Sequence, residues 1–280
     1  MRLANQSGRA LLLTSDVTGI DVATASGGRF GPDIQAIYDD WDEFIAWAVG
    51  AAGDEVAIDE SELGPVTPRP AQSLGIGLNY ADHVAESGFG TPETLPPVFP
   101  KFASSIAGPF ETVSLVAGGN TDWEAELVVV IGREAHDIAP GTGWDYVAGV
   151  TVGQDLSERI TQLQGPAPQF GLGKSYPGYS PQGPWLVTPD ELPNRDDLEI
   201  RGELDGQIVQ QGRTSQMLFS VPALVEKLAQ ILTLLPGDAI YSGTPSGVGF
   251  TREPAWLIQP GQTLVTTIEG VGTIRQRFTS

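Results

Sequence analysis

Residues 121–132, Thr-Asp-Trp-Glu-Ala-Glu-Leu-Val-Val-Val-Ile-Gly, carry two glutamates one residue apart directly into the most apolar stretch of the chain. Read as a strand, this segment turns alternate side chains to opposite faces, so Glu124 and Glu126 point the same way and converge on one spot. Their mutual repulsion needs a partner. A hard divalent cation is one, because Mg²⁺ is typically held by a few carboxylate oxygens and keeps water or substrate on its other positions. The polar end of a half-exposed strand is the other reading, and the segment alone leaves both open.

The 280 residues suit one large or two unequal domains. A net charge of −20 argues against sequence-independent nucleic-acid binding and against anionic membrane surfaces. An anionic substrate would be received by local positive charge, from a metal or from one of the few basic residues. The absence of cysteine removes disulfides, thiolate nucleophiles and Cys-type zinc or iron-sulfur sites together, and a cytoplasmic location is the simplest expectation. The first residues lack a long apolar segment of the secretory kind, and no run approaches the roughly 18 apolar residues of a membrane span. Glycine and proline are frequent and aperiodic, which points to many tight turns between short strands.

From Pro32 to about Gly50, Ile34, Ile37, Tyr38, Trp41, Phe44, Ile45 and Ala48 fall at helical spacing, which implies a small α+β unit ahead of residue 68. The proline-rich stretch 63–70 reads as a linker, so a domain boundary is expected there, with a small N-terminal unit over 1–68 and a main domain over 69–280. Short strands are expected around 73–77, 98–103, 112–116, 124–131, 146–152, 184–188, 198–204, 207–211, 238–242 and 263–269. Asp205-Gly206 is a two-residue hairpin signal between two of them. One helix interrupts the pattern, with Ser220 as cap, Pro222 in its first turn, Leu224 to Leu235 on one face and Pro236-Gly237 as its stop. The whole reads as a β-rich α+β protein.

Only two histidines exist. His83, in Gly77-Leu-Asn-Tyr-Ala-Asp-His-Val-Ala-Glu86, reads as part of a short helix with Glu86 three residues on, so the carboxylate can orient and charge-stabilise the imidazole. An incidental surface pair fits the spacing too. His136, in Arg-Glu-Ala-His-Asp, reads as a solvated turn without a role. Asp155 follows a strand and precedes a helical turn, which makes it either a third acid beside the glutamates or the N-cap of that turn. Arg159 lies four residues on, and Lys174 sits among glycines that allow close backbone approach to a ligand. Gly173-Lys174-Ser175 is no phosphate loop, because Pro168 stands where that motif needs glycine. Nor is there a Gly-x-Ser-x-Gly elbow or a His-Glu-x-x-His motif.

Seven segments in shared order carry a resemblance to the fumarylacetoacetate hydrolase family through residues 72–280. They are Gly-Leu-Asn-Tyr-Ala-Asp-His-Val-Ala-Glu, Phe-Pro-Lys-Phe-Ala-Ser-Ser, Asp-Trp-Glu-Ala-Glu-Leu-Val-Val-Val-Ile-Gly, Gly-Gln-Asp-Leu-Ser-Glu-Arg, Leu-Gly-Lys-Ser, Leu-Pro-Gly-Asp and Ser-Gly-Thr-Pro-Ser-Gly-Val-Gly. The resemblance implies a β-roll or distorted β-sandwich catalytic domain, usually a homodimer, with Mg²⁺ or Mn²⁺ at its centre. Carried over by motif, Glu124, Glu126 and Asp155 would hold the metal, and His83 with Glu86 would activate water. Lys174 would sit beside the metal, Arg159 and Gln162 would contact substrate or hold the site, Thr244 would help bind substrate oxygens, and Ser104 and Ser105 would line the pocket. Family members acting on simple acylpyruvates often carry arginine where this chain has Leu78.

The chemistry implied is cleavage of a carbon-carbon bond in a small anionic 1,3-dicarbonyl acid. Water activated by His83 attacks the distal carbonyl, and metal and Lys174 meet the charge of the departing enolate. The same scaffold also carries decarboxylases of oxaloacetate-like acids and enol isomerases, so fold membership leaves these as alternatives. A non-catalytic binding subunit would be expected to have lost one of the matched residues.

Overall fold

In the computed structural model, which describes all 280 residues, the apolar run forms the strand Ala125–Ile131, every residue of which is buried. It lies inside a 12-stranded sheet, antiparallel to Val147–Gln154 on one side and to Ala239–Tyr241 on the other. Both of its faces are covered, which is why the run is apolar without alternation. Leu127, Val129 and Ile131 join the main core, whereas Val130, on the opposite face, packs with Tyr38, Trp41 and Phe44 of the N-terminal segment. Glu126 shares the face of Val130, since the two are four residues apart along one strand.

The main core is closed from its other side by a five-stranded sheet ordered Gln207–Arg213, Glu199–Leu204, Thr263–Ile268, Gly272–Thr279, Thr112–Ser114. Ile200, Ile268 and Ile274 of this sheet meet Val150 and Val152 of the larger one. The protein is therefore β-rich with short helices, built from mixed sheets that do not close into a barrel. The Asp205-Gly206 hairpin forms as expected, with φ of 50° and 78° at its two turn residues and Leu204 paired to Gln207.

Residues 1–68 do not stand beside this sheet; they extend it. Arg2–Gln6 pairs antiparallel with Ser180–Val187, matching Leu3 with Leu186, and the strands Arg9–Leu13, Thr18–Asp21 and Glu55–Ala57 continue outward. Their own cluster of aromatic residues nonetheless includes Val130, Ala148 and Leu186 from the larger body.

Several elements differ in extent from the sequence reading. The helix expected over 32–50 is divided into Ile34–Ile37, a 3₁₀ turn Tyr38–Asp40 and Trp41–Ala48, and Asp40 leaves helical geometry at φ −119°, ψ 34°. Adjacent aspartates at 39 and 40 favour this, because aspartate is among the weaker helix formers. The later helix spans only Val221–Ala229, and Ser220 gives no side-chain cap bond. Leu234 instead forms a β-bridge with Ala135, and Ile231 is left exposed. The C-terminal strand Gly272–Thr279 had no clear sequence signal. No helix is long and apolar enough to cross a membrane.

Candidate active site and metal centre

Strand register brings the three acids together. Ala125 pairs with Gln154, so the entry of one strand lies beside the exit of its neighbour, and the Asp155 N–H donates to the Glu124 carbonyl at 2.9 Å. Glu124, Glu126 and Asp155 are all buried, with ligand oxygens within 4.8 Å of one another. Asp155 is not the cap of the following turn: Glu158 takes that role, accepting from the N–H groups of Ile160 and Thr161. The strand-end and N-cap readings of these acids are thereby excluded.

Three cations surround them. Lys174 Nζ donates to Glu124 at 2.7 Å and to Asp155 at 2.8 Å. Lys101 Nζ pairs with the other Asp155 oxygen and donates to the Lys174 carbonyl at 2.9 Å. Arg159 donates to Glu124 at 2.8 Å, to Gln162 Oε1 at 2.9 Å and, through two nitrogens, to Asp122 at 2.7 and 3.0 Å. Burial raises the Glu124 carboxyl, but Lys174 and Arg159 outweigh it and bring the group down to about 2. Glu126 has no such ion pair. Burial first, then Asp155 and Glu124, push it well above the usual carboxylate range. Lys101 is lowered, chiefly by burial, against the pull of Asp155.

This donor set fits a hard divalent cation: three convergent buried carboxylates, all oxygen, one of which has no ion-pair partner in the protein. Metal uptake requires Glu126 to ionise, so metal and proton compete. Raising the pH through the elevated Glu126 range removes that competition, and Mg²⁺ affinity is expected to rise with pH. Calorimetry in buffers of differing ionisation enthalpy should show proton release on binding; pH-independent affinity without proton release contradicts the assignment.

His83 lies on the short helix Ala81–Ser87, ended by Gly88 in the left-handed region. Its Nδ1 meets Glu86 Oε1 at 2.8 Å, and Glu86 Oε2 accepts from the Gly247 N–H at 2.9 Å. With the carboxylate accepting from Nδ1–H, Nε2 is left as the acceptor. The pair is thus anchored to a second element rather than incidental.

That second element is the glycine-rich turn 243–250, which donates backbone N–H groups to three separate acids. Gly243 donates to Glu126 at 2.9 Å, Gly247 to Glu86, and Gly249 and Phe250 to Asp122 at 2.7 and 3.0 Å. Thr244 Oγ1 donates to the Ala125 carbonyl at 2.9 Å and accepts from Gln210 at 2.8 Å. Gly243 has φ +100°, and a Cβ there would lie 2.7 Å from Asn79 Cβ. Gly243→Ala is expected to cost about 2 kcal/mol of stability or more, read as a lower denaturation midpoint, together with weaker metal binding.

A cavity of about 220 Å³ opens onto this centre, lined on its polar side by His83, Glu124, Arg159, Gln162, Lys174 and Thr244. Leu78 lines it as well, at φ +56°. Ser104 and Ser105 do not. Ser104 is exposed beside Leu172 and Tyr176, and Ser105 is buried, donating to the Phe102 carbonyl at 2.7 Å and meeting Ser180 at 2.7 Å. His136 is exposed, with Thr233 as its neighbour. Two participants had not been singled out from the sequence, Lys101 and Asp122. Their signal lay in the small number of basic residues and in the run of acids at 122, 124 and 126.

The fumarylacetoacetate (FAA) hydrolase C-terminal family matches residues 72–279. This chain belongs to the fumarylacetoacetate hydrolase family. It is 43% identical over 220 residues to a Burkholderia cenocepacia protein assigned by name alone as a hydrolase, covering 78% of this chain and 77% of that protein. A Mycobacterium smegmatis structure provisionally named HpcE is 52% identical with a TM-score of 0.95, covering 100% of this chain and 99% of that one. A second structure from Mycobacterium smegmatis, 5-carboxymethyl-2-hydroxymuconate delta-isomerase, is 28% identical with a TM-score of 0.77, covering 100% and 98%.

Proposed function

We propose that this protein is a divalent-metal-dependent hydrolase that cleaves a carbon-carbon bond in a 1,3-dicarbonyl acid of the acylpyruvate or fumarylacetoacetate type. The observation that carries the reading is the His83-Glu86 pair, with an acceptor nitrogen available, on the same cavity as the acidic triad. A Mg²⁺ or Mn²⁺ ion held by Glu124, Glu126 and Asp155 would supply Lewis acidity toward the substrate's carboxylate and keto oxygens. His83 takes a proton from water at Nε2, and Glu86 stabilises the imidazolium that results. Lys174 places an ammonium where enolate charge develops as the carbon-carbon bond breaks. The Gln162 amide nitrogen, with its oxygen held by Arg159, is a donor for a substrate oxygen.

Enol isomerisation or decarboxylation is the second reading, supported by the isomerase among the similar structures. In isomerisation His83 would move a proton between substrate atoms, in decarboxylation CO₂ would leave and the enolate left behind would take up a proton, and in neither would water be added. An ultraviolet assay with Mg²⁺ across acetylpyruvate, fumarylpyruvate, fumarylacetoacetate and oxaloacetate tests the proposal. Metal-dependent loss of enol absorbance with release of the free acyl acid beside pyruvate or acetoacetate supports it; CO₂ release, or a product of unchanged mass, favours the second reading.

A further inference from the structure

Apart from its polar residues and Ser87, the lining of the cavity is apolar. Leu78, Phe89, Phe99, Leu163 and Phe170 form much of it, and Phe89 and Leu163 are 49% and 44% exposed, unusually open for such large side chains. Only two fixed cations border the cavity, Arg159 and Lys174, and both are already paired with the acids. Arg159 is shared among Asp122, Glu124 and Gln162 with its guanidinium over the Phe250 ring, and Lys174 between Glu124 and Asp155.

Leu78 adds a separate observation. It holds φ +56°, a conformation that branched or bulky residues rarely adopt, and strain of this kind persists only where the surroundings impose it. Here they do. Asn79, next in the chain, donates to the carbonyls of Phe219 at 3.0 Å and Ser242 at 2.8 Å and accepts from the Phe219 N–H at 2.8 Å. This clamp fixes the backbone that places Leu78 on the cavity wall.

From these walls we infer that the part of the substrate remote from its 2-oxo acid head is a neutral apolar acyl tail, of branched-alkyl or phenyl size, rather than a second carboxylate. The inference rests on the dicarbonyl reading for the head group. The cavity of about 220 Å³ takes head and tail together, and the half-exposed Phe89 and Leu163 leave the tail room to extend outward. A carboxylate at the same place would find no unpaired cation along the lining, in a protein of net charge −20.

Binding of 2-oxo acids that cannot be cleaved tests this apart from turnover. Calorimetry of the full chain with Mg²⁺ should give 2-oxo-4-methylpentanoate and 2-oxo-4-phenylbutanoate a Kd at least about tenfold below that of 2-oxoglutarate, which shares the head but ends in a carboxylate. Leu78→Arg is expected to narrow or reverse that order, and it keeps the side chain flexible enough to fold in place. Equal or tighter binding of 2-oxoglutarate overturns the inference, as does failure of every 2-oxo acid to bind. If the apolar acids bind but neutral-tailed acylpyruvates are not cleaved, the tail specificity stands and the hydrolase reading falls. Where cleavage occurs, kcat/KM should climb about fourfold for each CH₂ added until the cavity is filled.

Discussion

Glu126→Gln is expected to abolish divalent-metal binding while leaving the melting temperature of the metal-free protein unchanged or higher. Without metal, burial and the charges of Asp155 and Glu124 favour the protonated form of Glu126, which glutamine resembles in shape and neutrality. The amide oxygen can still accept from the Gly243 N–H. What is lost is the ability to become the third negative ligand, and an affinity loss of at least about 100-fold is expected, since even outer partners of a metal site are worth 10–100-fold. Glu124→Gln should behave differently. Glu124 pairs with both Lys174 and Arg159, so neutralising it leaves buried cations undercompensated, at a cost of about 3–5 kcal/mol. Thermal melts and Mg²⁺ titrations of both variants separate the two roles. Equal destabilisation, or retained metal binding in Glu126→Gln, contradicts the assignment.

His83→Ala should have the complementary effect, a fall in kcat of about 10²- to 10⁴-fold with metal affinity intact. The imidazole touches none of the three metal-binding acids by hydrogen bond; its one partner is Glu86. Glu86→Gln should lower kcat by less, because the imidazole remains while its orienting charge is lost, and should loosen the turn at Gly247 that the carboxylate anchors. Steady-state kinetics paired with metal titration give the comparison. A large loss of metal binding in His83→Ala would mean that the histidine belongs to the metal shell.

The spacing of the glutamates singled them out in the sequence, and it was the ordered resemblance to the family that joined them with Asp155 as one set. Glu126 lies in the strand and Glu124 immediately before it, and the register of the neighbouring strand brings Asp155 beside them. Their cation partners were less legible. Lys101 reaches Asp155 across 54 positions of sequence, and Asp122 meets Arg159 across 37, contacts that no local pattern encodes. The glycine-rich turn was visible as composition, yet its donation of four N–H groups to three acids depends on contacts distant in sequence.

In the fold, the hidden elements have equally specific reasons. The last strand buries Ile274, Gln276 and Phe278 on one side, but a polar glutamine in the middle of the series masks the alternation. The proline-rich segment 63–70 reads as a linker, although Leu63 and Val66 are buried and the Val66 carbonyl accepts from Tyr38. Ser104 and Ser105 were placed by motif alone, and the 3₁₀ turn that holds them faces away from the cavity.

The most direct test of the hydrolase reading is turnover of a cleaved acylpyruvate in ¹⁸O-labelled water with Mg²⁺, followed by mass analysis of the products. Water activation by His83 predicts one labelled oxygen in the carboxylate of the acyl product. An acyl product without label, or a substrate that changes form without breaking its carbon-carbon bond, would contradict it.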